Sequence, residues 1–143
     1  MNCLSFQENK ALFMTEEGRG LLRPALFQPT EEKIRLLSQA WAAEDDILFF
    51  FALEDKTPVG LCVLRSNHRK AAILSLSVSP ARQQKGVGRA LIAHVRACIR
   101  LPLYAETDDD AVGFYQKCGF SITSLGEKYP GVIRYGCTLS KEE

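Results

Sequence analysis

The stretch SVSPARQQKGVGRALIAHV, residues 77–95, passes from an apolar segment through a polar loop into Gly86-Val87-Gly88 and then a helical pattern. Proline cannot donate to a strand ladder, so Pro80 ends the strand before it. Beyond the glycines, Val87, Leu91, Val95 and Cys98 fall on one stripe, with Ala90 and Ile99 beside it. Arg89, Ala93, Arg96 and Arg100 lie opposite. This pattern predicts an amphipathic helix from about Gly86 to Arg100. Gly86 and Gly88 carry no Cβ, so a ligand can touch the backbone there. The first N–H groups of the helix lack partners, and its dipole places partial positive charge at that end. Arg82, Lys85 and Arg89 add full charges. Strand, glycine loop, helix and cations together point to a phosphate or pyrophosphate site rather than to a solvated, glycine-rich connection.

The segments around this stretch set the order of elements. Upstream, TEEKIRLLSQAWAAEDD predicts a helix from about Glu31 to Ala43, with Thr30 as cap, two acids in the first turn, and Ile34, Leu37 and Trp41 on one face. Ile47–Glu54 and Val59–Ser66 flank the turn-like DKTP and predict an antiparallel hairpin. The segment from Ala71 to Ser79 alternates, with Ile73, Ser75, Ser77 and Ser79 on one side and Leu74, Leu76 and Val78 on the other. Downstream, LPLYAE predicts a short strand. DDDAVGFYQKCG predicts a helix whose buried stripe is Ala111, Phe114, Tyr115 and Cys118, closed by Gly119. FSITSLG and VIRYGCTL predict a last hairpin around EKYPG. Nearer the start, CLSF and ALFM are expected as short strands, and LLRPALFQP has no clear period. The expected fold is α/β (α+β): one domain over residues 1–143, a mixed, mostly antiparallel sheet with one parallel junction, and helices on both faces.

Composition excludes several classes. The chain has 143 residues, enough for one domain with a real core. Its formal net charge of +1 gives no global pull toward nucleic acid or membrane. No apolar run reaches the length of a membrane span, and the N-terminus lacks a secretory pattern. The five cysteines, Cys3, Cys62, Cys98, Cys118 and Cys137, are widely spaced with no C-x-x-C pair. That spacing favours reduced thiols in the cytoplasm over a disulfide framework or a metal site, so no metal is expected.

Three phosphate-binding readings compete. A Walker loop needs G-x-x-x-x-G-K-[ST], which is absent. A dinucleotide fold needs G-x-G-x-x-G in a tight turn and an acid at the end of the next strand. Gly86, Gly88 and Glu106 invite it, but Leu91 stands where the third glycine belongs, and the loop after Ser79 is long. The third is a resemblance. Gln83-Gln84-Lys85-Gly86-Val87-Gly88 fits the [QR]-x-x-G-x-[GA] pattern of the acetyl-CoA loop of GNAT N-acetyltransferases, entered by V-x-P and Arg82. Ala111, Phe114, Tyr115, Gly119 and Phe120 resemble the same family's A-x-x-F-Y-x-x-x-G-F segment, in the right order and at a believable separation. The resemblance covers roughly Ile47 to the C-terminus.

What this resemblance implies is an N-acetyltransferase using acetyl-CoA as cosubstrate. The pyrophosphate would lie on the loop backbone from Gln84 to Gly88, in the setting of Arg82, Gln83, Lys85 and Arg89. The pantetheine arm would lie along the strand ending at Val78, which would splay from the strand at Leu103–Glu106. The Leu76 N–H would polarise the acetyl carbonyl, as a fixed donor in a dry cleft stabilises an oxyanion. Tyr115, beside Phe114, would be the general acid toward the thiolate leaving group; the alternative for Tyr115 is a core residue on an apolar stripe. Some family members carry a glutamate where this chain has Ala72, so that base does not transfer. Glu106 and Asp108 are the candidates that could reach the cleft, with water and positioning as the other possibility. Asp109 and Asp110 suit the helix dipole, and His68 and His94 read as surface or packed histidines. A covalent route through Cys118 and a non-catalytic acyl-CoA-binding module are the competing functions. The amine acceptor stays open: Glu44, Asp45, Asp46 and Asp108–Asp110 would attract a cation or serve as solvated surface. A monomer and a homodimer fit equally.

Overall fold

A computed structural model of the chain describes residues 3–141. Leu4–Glu8 forms strand β1. The Asn9 side chain accepts from the Leu12 N–H at 2.9 Å and starts helix α1, Lys10–Phe13. Thr15 accepts from Gly18 at 3.0 Å and starts helix α2, Glu16–Arg19. The segment ALFM, expected as a strand, is therefore helical. The Asn9 cap supplies an orphan donor's partner, and Phe13 drops into the core with its ring 4.1 Å from that of Phe49. A 3-10 turn over Gly20–Ala25 covers the stretch that lacked a period. Thr30 then caps helix α3, Glu31–Ala42, as expected, by accepting from Lys33.

Strands β2, Ile47–Glu54, and β3, Thr57–Ser66, are joined by Asp55 and Lys56, both at positive φ, 49° and 74°. Strand β4 is Ala71–Val78, helix α4 is Val87–Ile99, strand β5 is Leu103–Thr107 and helix α5 is Val112–Lys117. Strands β6, Ser121–Tyr129, and β7, Val132–Leu139, close the chain. Strand β6 runs on through Glu127, Lys128 and Tyr129, which the sequence pattern assigned to the turn. The tight turn at Gly131, φ 79°, lets the ladder continue to the tip.

Among the described residues, seven strands make one sheet in the order β1-β2-β3-β4-β5-β7-β6. Every pairing is antiparallel except β4 with β5. Side-chain alternation splits the core in two. Phe50, Cys62, Leu64, Leu103 and Cys137 face α4 and α5, where Val87, Leu91, Val95 and Tyr115 are buried. Phe49, Phe51, Leu61 and Val63 face the other way, against Phe13, Leu21, Leu22 and Ile34. Helices thus cover both faces. Each fully buried Leu, Val or Phe contributes about 1.5–3 kcal/mol by leaving water.

Candidate active site

The site begins with one extra residue. Val63 pairs with Ser75 and Leu64 with Ile73, so Leu74 bulges out of β4. Past the bulge the side-chain alternation inverts. Ile73, Leu76 and Val78 pack toward α4, while Leu74 packs toward α3. This corrects the simple alternation expected for Ala71–Ser79. A bulge bends its strand and disrupts the ladder. Strand β4 pairs with β5 only at Ala71–Leu103 and Ala72–Tyr104, and the two strands separate beyond. From Ile73 to Val78 the main chain on this edge of β4 has no β5 partner.

The opening runs into a cleft of about 930 Å³. Leu76, Ser77 and Val78 form one wall, and Arg82, Gln83, Gln84, Gly86, Val87, Gly88 and Arg89 form the floor. Asp110, Gly113, Phe114, Lys117 and Cys118 form the other wall, with Pro24 above. Gly86 is the N-cap of α4 at φ 83°, and the space where its Cβ would stand is open. Gly86 therefore leaves the helix N-terminus bare toward the cleft. Gly88 does different work: an added Cβ would meet the Phe114 ring at 3.2 Å, so this glycine lets α5 close against α4. Gln84 also takes positive φ, 62°, and the Gln83 side chain donates to the Val78 carbonyl at 3.0 Å.

The charges sort themselves on this surface. Arg82 is held in a two-point ion pair with Glu54, Nε to Oε2 at 2.8 Å and Nη2 to Oε1 at 2.6 Å. Arg89 and Lys117 line the cleft and have no ion-pair partner among the described residues. Lys85 is not on the wall. Asp108 lies outside it as well and accepts from the Asp110 and Ala111 N–H groups at 3.1 and 3.2 Å, which organises the entry to α5. Asp109 accepts from the Tyr135 hydroxyl at 2.6 Å.

Tyr115 is 7% exposed and sits edge-on between the rings of Phe114 and Phe120, at 5.3 and 5.2 Å. Its hydroxyl makes no hydrogen bond among the described residues. Burial first, and then the neighbouring Cys62, Cys137 and Cys118, push its pKa well above the ordinary value. Tyr115 itself is not among the residues that line the cleft, although its neighbour Phe114 is. Glu106 is also set apart. Its carboxylate accepts from Lys128 Nζ at 2.8 Å and lies 3.5 Å from Arg134 Nε. The Lys128 hydrogen bond is the largest cause of a pKa below the usual carboxylate value. Among the thiols, Cys62 is pushed up to about 12 by complete burial.

Of the residues singled out from sequence, the cleft gathers Leu76, Val78, Arg82, Gln83, Gln84, Gly86, Val87, Gly88, Arg89 and Phe114. It leaves Lys85, Glu106, Asp108 and Tyr115 off its walls. It adds Pro24, Ser77, Gly113 and Lys117. Lys117 was within reach of sequence reasoning, because it lies three residues after Phe114 and shares its helix face. Among the described residues no three His, Cys, Asp or Glu side chains gather as metal ligands. No described helix is long and apolar enough to cross a membrane.

Comparison with known proteins fits this geometry. Residues 15–120 match the model of the acetyltransferase (GNAT) family, and the chain belongs to that family. Peptidyl-lysine N-acetyltransferase YjaB of Escherichia coli (strain K12) is 36% identical over 87 residues, 54% of this chain and 55% of the relative. The match therefore spans about half the length of that relative. The ribosomal-protein-S18-alanine N-acetyltransferase of Escherichia coli superposes with a TM-score of 0.74 at 21% identity, covering 100% of this chain and 96% of that one. A GNAT family acetyltransferase from Elizabethkingia anophelis, with acetyl-CoA bound, superposes with a TM-score of 0.66 at 19% identity, covering 96% and 97%. At these identities the two structures share the fold.

Proposed function

We propose that the chain is an N-acetyltransferase that moves the acetyl group of acetyl-CoA directly to a primary amine. The observation that carries this reading is the splayed edge of β4 running straight into the bare N-terminus of α4. Such an edge offers main-chain groups to an amide-bearing pantetheine arm, and such a terminus takes a pyrophosphate. Arg89 and Lys117 answer the remaining negative charge. Arg82 works through its pair with Glu54, holding the loop to the end of β2. Asp108 works by organising α5, which carries Phe114 and Tyr115. Lys85 adds charge from the outer side of the loop.

In this reading the Leu76 N–H receives the developing oxyanion. Tyr115 hands its proton to the departing thiolate, and its raised pKa keeps that proton in place at neutral pH. Glu106, ionised, receives the acceptor's ammonium and passes its proton to solvent. Cys118 stays protonated, because burial raises its thiol more than Arg89 lowers it, which speaks against a covalent acetyl-enzyme. The relative acting on peptidyl-lysine suggests a protein amine as acceptor. The free thiols fit a reducing, cytoplasmic setting.

Calorimetric titration with acetyl-CoA, CoA and NAD tests the cosubstrate. Acetyl-CoA and CoA are expected to bind and NAD not to; binding of NAD alone would overturn the reading. An amine panel followed by thiol release then separates an enzyme from a non-catalytic acyl-CoA-binding module, which would bind without turnover.

A further inference from the structure

One ammonium of the chain sits on the carboxylate to which the proposed function brings the acceptor. Strand β7 lies between β5 and β6, so Lys128 of β6 reaches Glu106 of β5 across an intervening strand. It makes a 2.8 Å hydrogen bond, and Arg134 of β7 braces the same carboxylate from beneath. Glu106 also has a fixed position along the gap. The β4–β5 register ends at Ala72–Tyr104. Two residues further on β5 is Glu106. Two residues further on β4, plus the extra residue at Leu74, is Ser75. Counted along both strands from that register, Glu106 comes opposite Ser75, one residue from the proposed oxyanion donor Leu76. The Ser75 hydroxyl is buried there without a hydrogen-bond partner among the described residues.

Resting on the N-acetyltransferase reading, we propose that Lys128 is an acceptor for its own chain and is acetylated in cis at this carboxylate. Lys128 Nζ forms the new C–N bond to the acetyl carbon, and the C–S bond of the thioester breaks. The ammonium gives up two protons in all. One leaves through Glu106 to solvent before attack. The other leaves after the bond forms, while Tyr115 protonates the departing thiolate and is itself reprotonated. The products are an Nε-acetyl-lysine, CoA thiol and one proton. The modification removes the Lys128 cation from Glu106, leaving Arg134 beside it, and opens the Lys128 side of that carboxylate to an external amine. Lys70 is the internal comparison. It lies on the same β5 face, 5.1 Å above the Tyr104 ring, but at the closed, paired end of the two strands.

The test is incubation of the full chain with acetyl-CoA, read by peptide mass spectrometry over time. Lys128 is expected to gain acetyl before Lys70 and before the exposed Lys56 and Lys85. Its first-order rate should be independent of protein concentration, and excess CoA should slow it. Lys128→Arg keeps a cation on Glu106 and should abolish acetylation at the hairpin. Acetylation of Lys128 no faster than of Lys56 or Lys85, or unaffected by CoA, would overturn the inference. So would a chain that binds acetyl-CoA and acetylates an external amine while Lys128 stays unmodified. A chain that binds no acetyl-CoA would overturn the N-acetyltransferase reading first, and calorimetry with the same sample tells these two failures apart.

Discussion

At the residue scale, the two groups assigned to proton transfer are set in opposite directions by their surroundings. Burial keeps the Tyr115 phenol protonated beyond its ordinary range. The Lys128 hydrogen bond keeps Glu106 ionised below its ordinary range. Neither group changes charge between pH 6 and 9 on these shifts. The rise of kcat/KM with pH over that window should therefore follow deprotonation of the acceptor, an alkyl ammonium of pKa about 10. A pH–rate profile measures this, and a plateau reached near pH 7 would contradict it. Tyr115→Phe removes the proton donor and little volume. Turnover should fall by about 10²-fold or more, with acetyl-CoA affinity by calorimetry nearly unchanged. Unchanged turnover would return Tyr115 to the core, where its two ring contacts already place it.

At the element scale, the contact of α4 with α5 hinges on Gly88. Gly88→Ala puts a methyl 3.2 Å from the Phe114 ring, which must give by a few tenths of an ångström and loosens the seat of α5 on α4. Overpacking of this kind costs about 1–3 kcal/mol. Because α5 carries both cleft wall and Tyr115, turnover should drop on the order of 10²-fold. The double variant Gly88→Ala with Phe114→Leu should recover stability, measured by thermal melting; two independent losses would show that the two sites do not share this contact. The long elements were legible because their periods are long. The stripes of α3 and α4 and the apolar runs of β2 and β3 repeat often enough to read. Helices α1 and α2 have four residues each and are defined by the caps Asn9 and Thr15, so no period exists to find. The Leu74 bulge depends on which β3 residue lies opposite, which the β4 sequence alone does not carry. The glycine loop announced its place on the cleft. The pairing of Arg82 with Glu54, 28 residues away, and of Lys128 with Glu106, 22 residues away, did not.

At the scale of the whole molecule, the cleft is built where β4, α4 and α5 meet. Its walls come from β4, the loop before α4, and α5, with Pro24 contributed from the opposite layer. Among the described residues, β4 and β5 pair only through the short parallel register at their closed end. A ligand that bridges β4, the α4 N-terminus and α5 should therefore stabilise the fold as a whole. At a free concentration one hundred times its dissociation constant, a ligand binding only the native state adds about 2.7 kcal/mol. For a chain of this size that is a rise in melting temperature of roughly 5–11 °C. Acetyl-CoA and CoA should both produce it, since the contacts proposed for the pyrophosphate and the pantetheine arm are common to the two, whereas NAD at the same concentration should leave the melting curve in place. A shift with NAD equal to that with CoA would mean that the loop recognises a pyrophosphate alone and that the open edge of β4 adds nothing to binding.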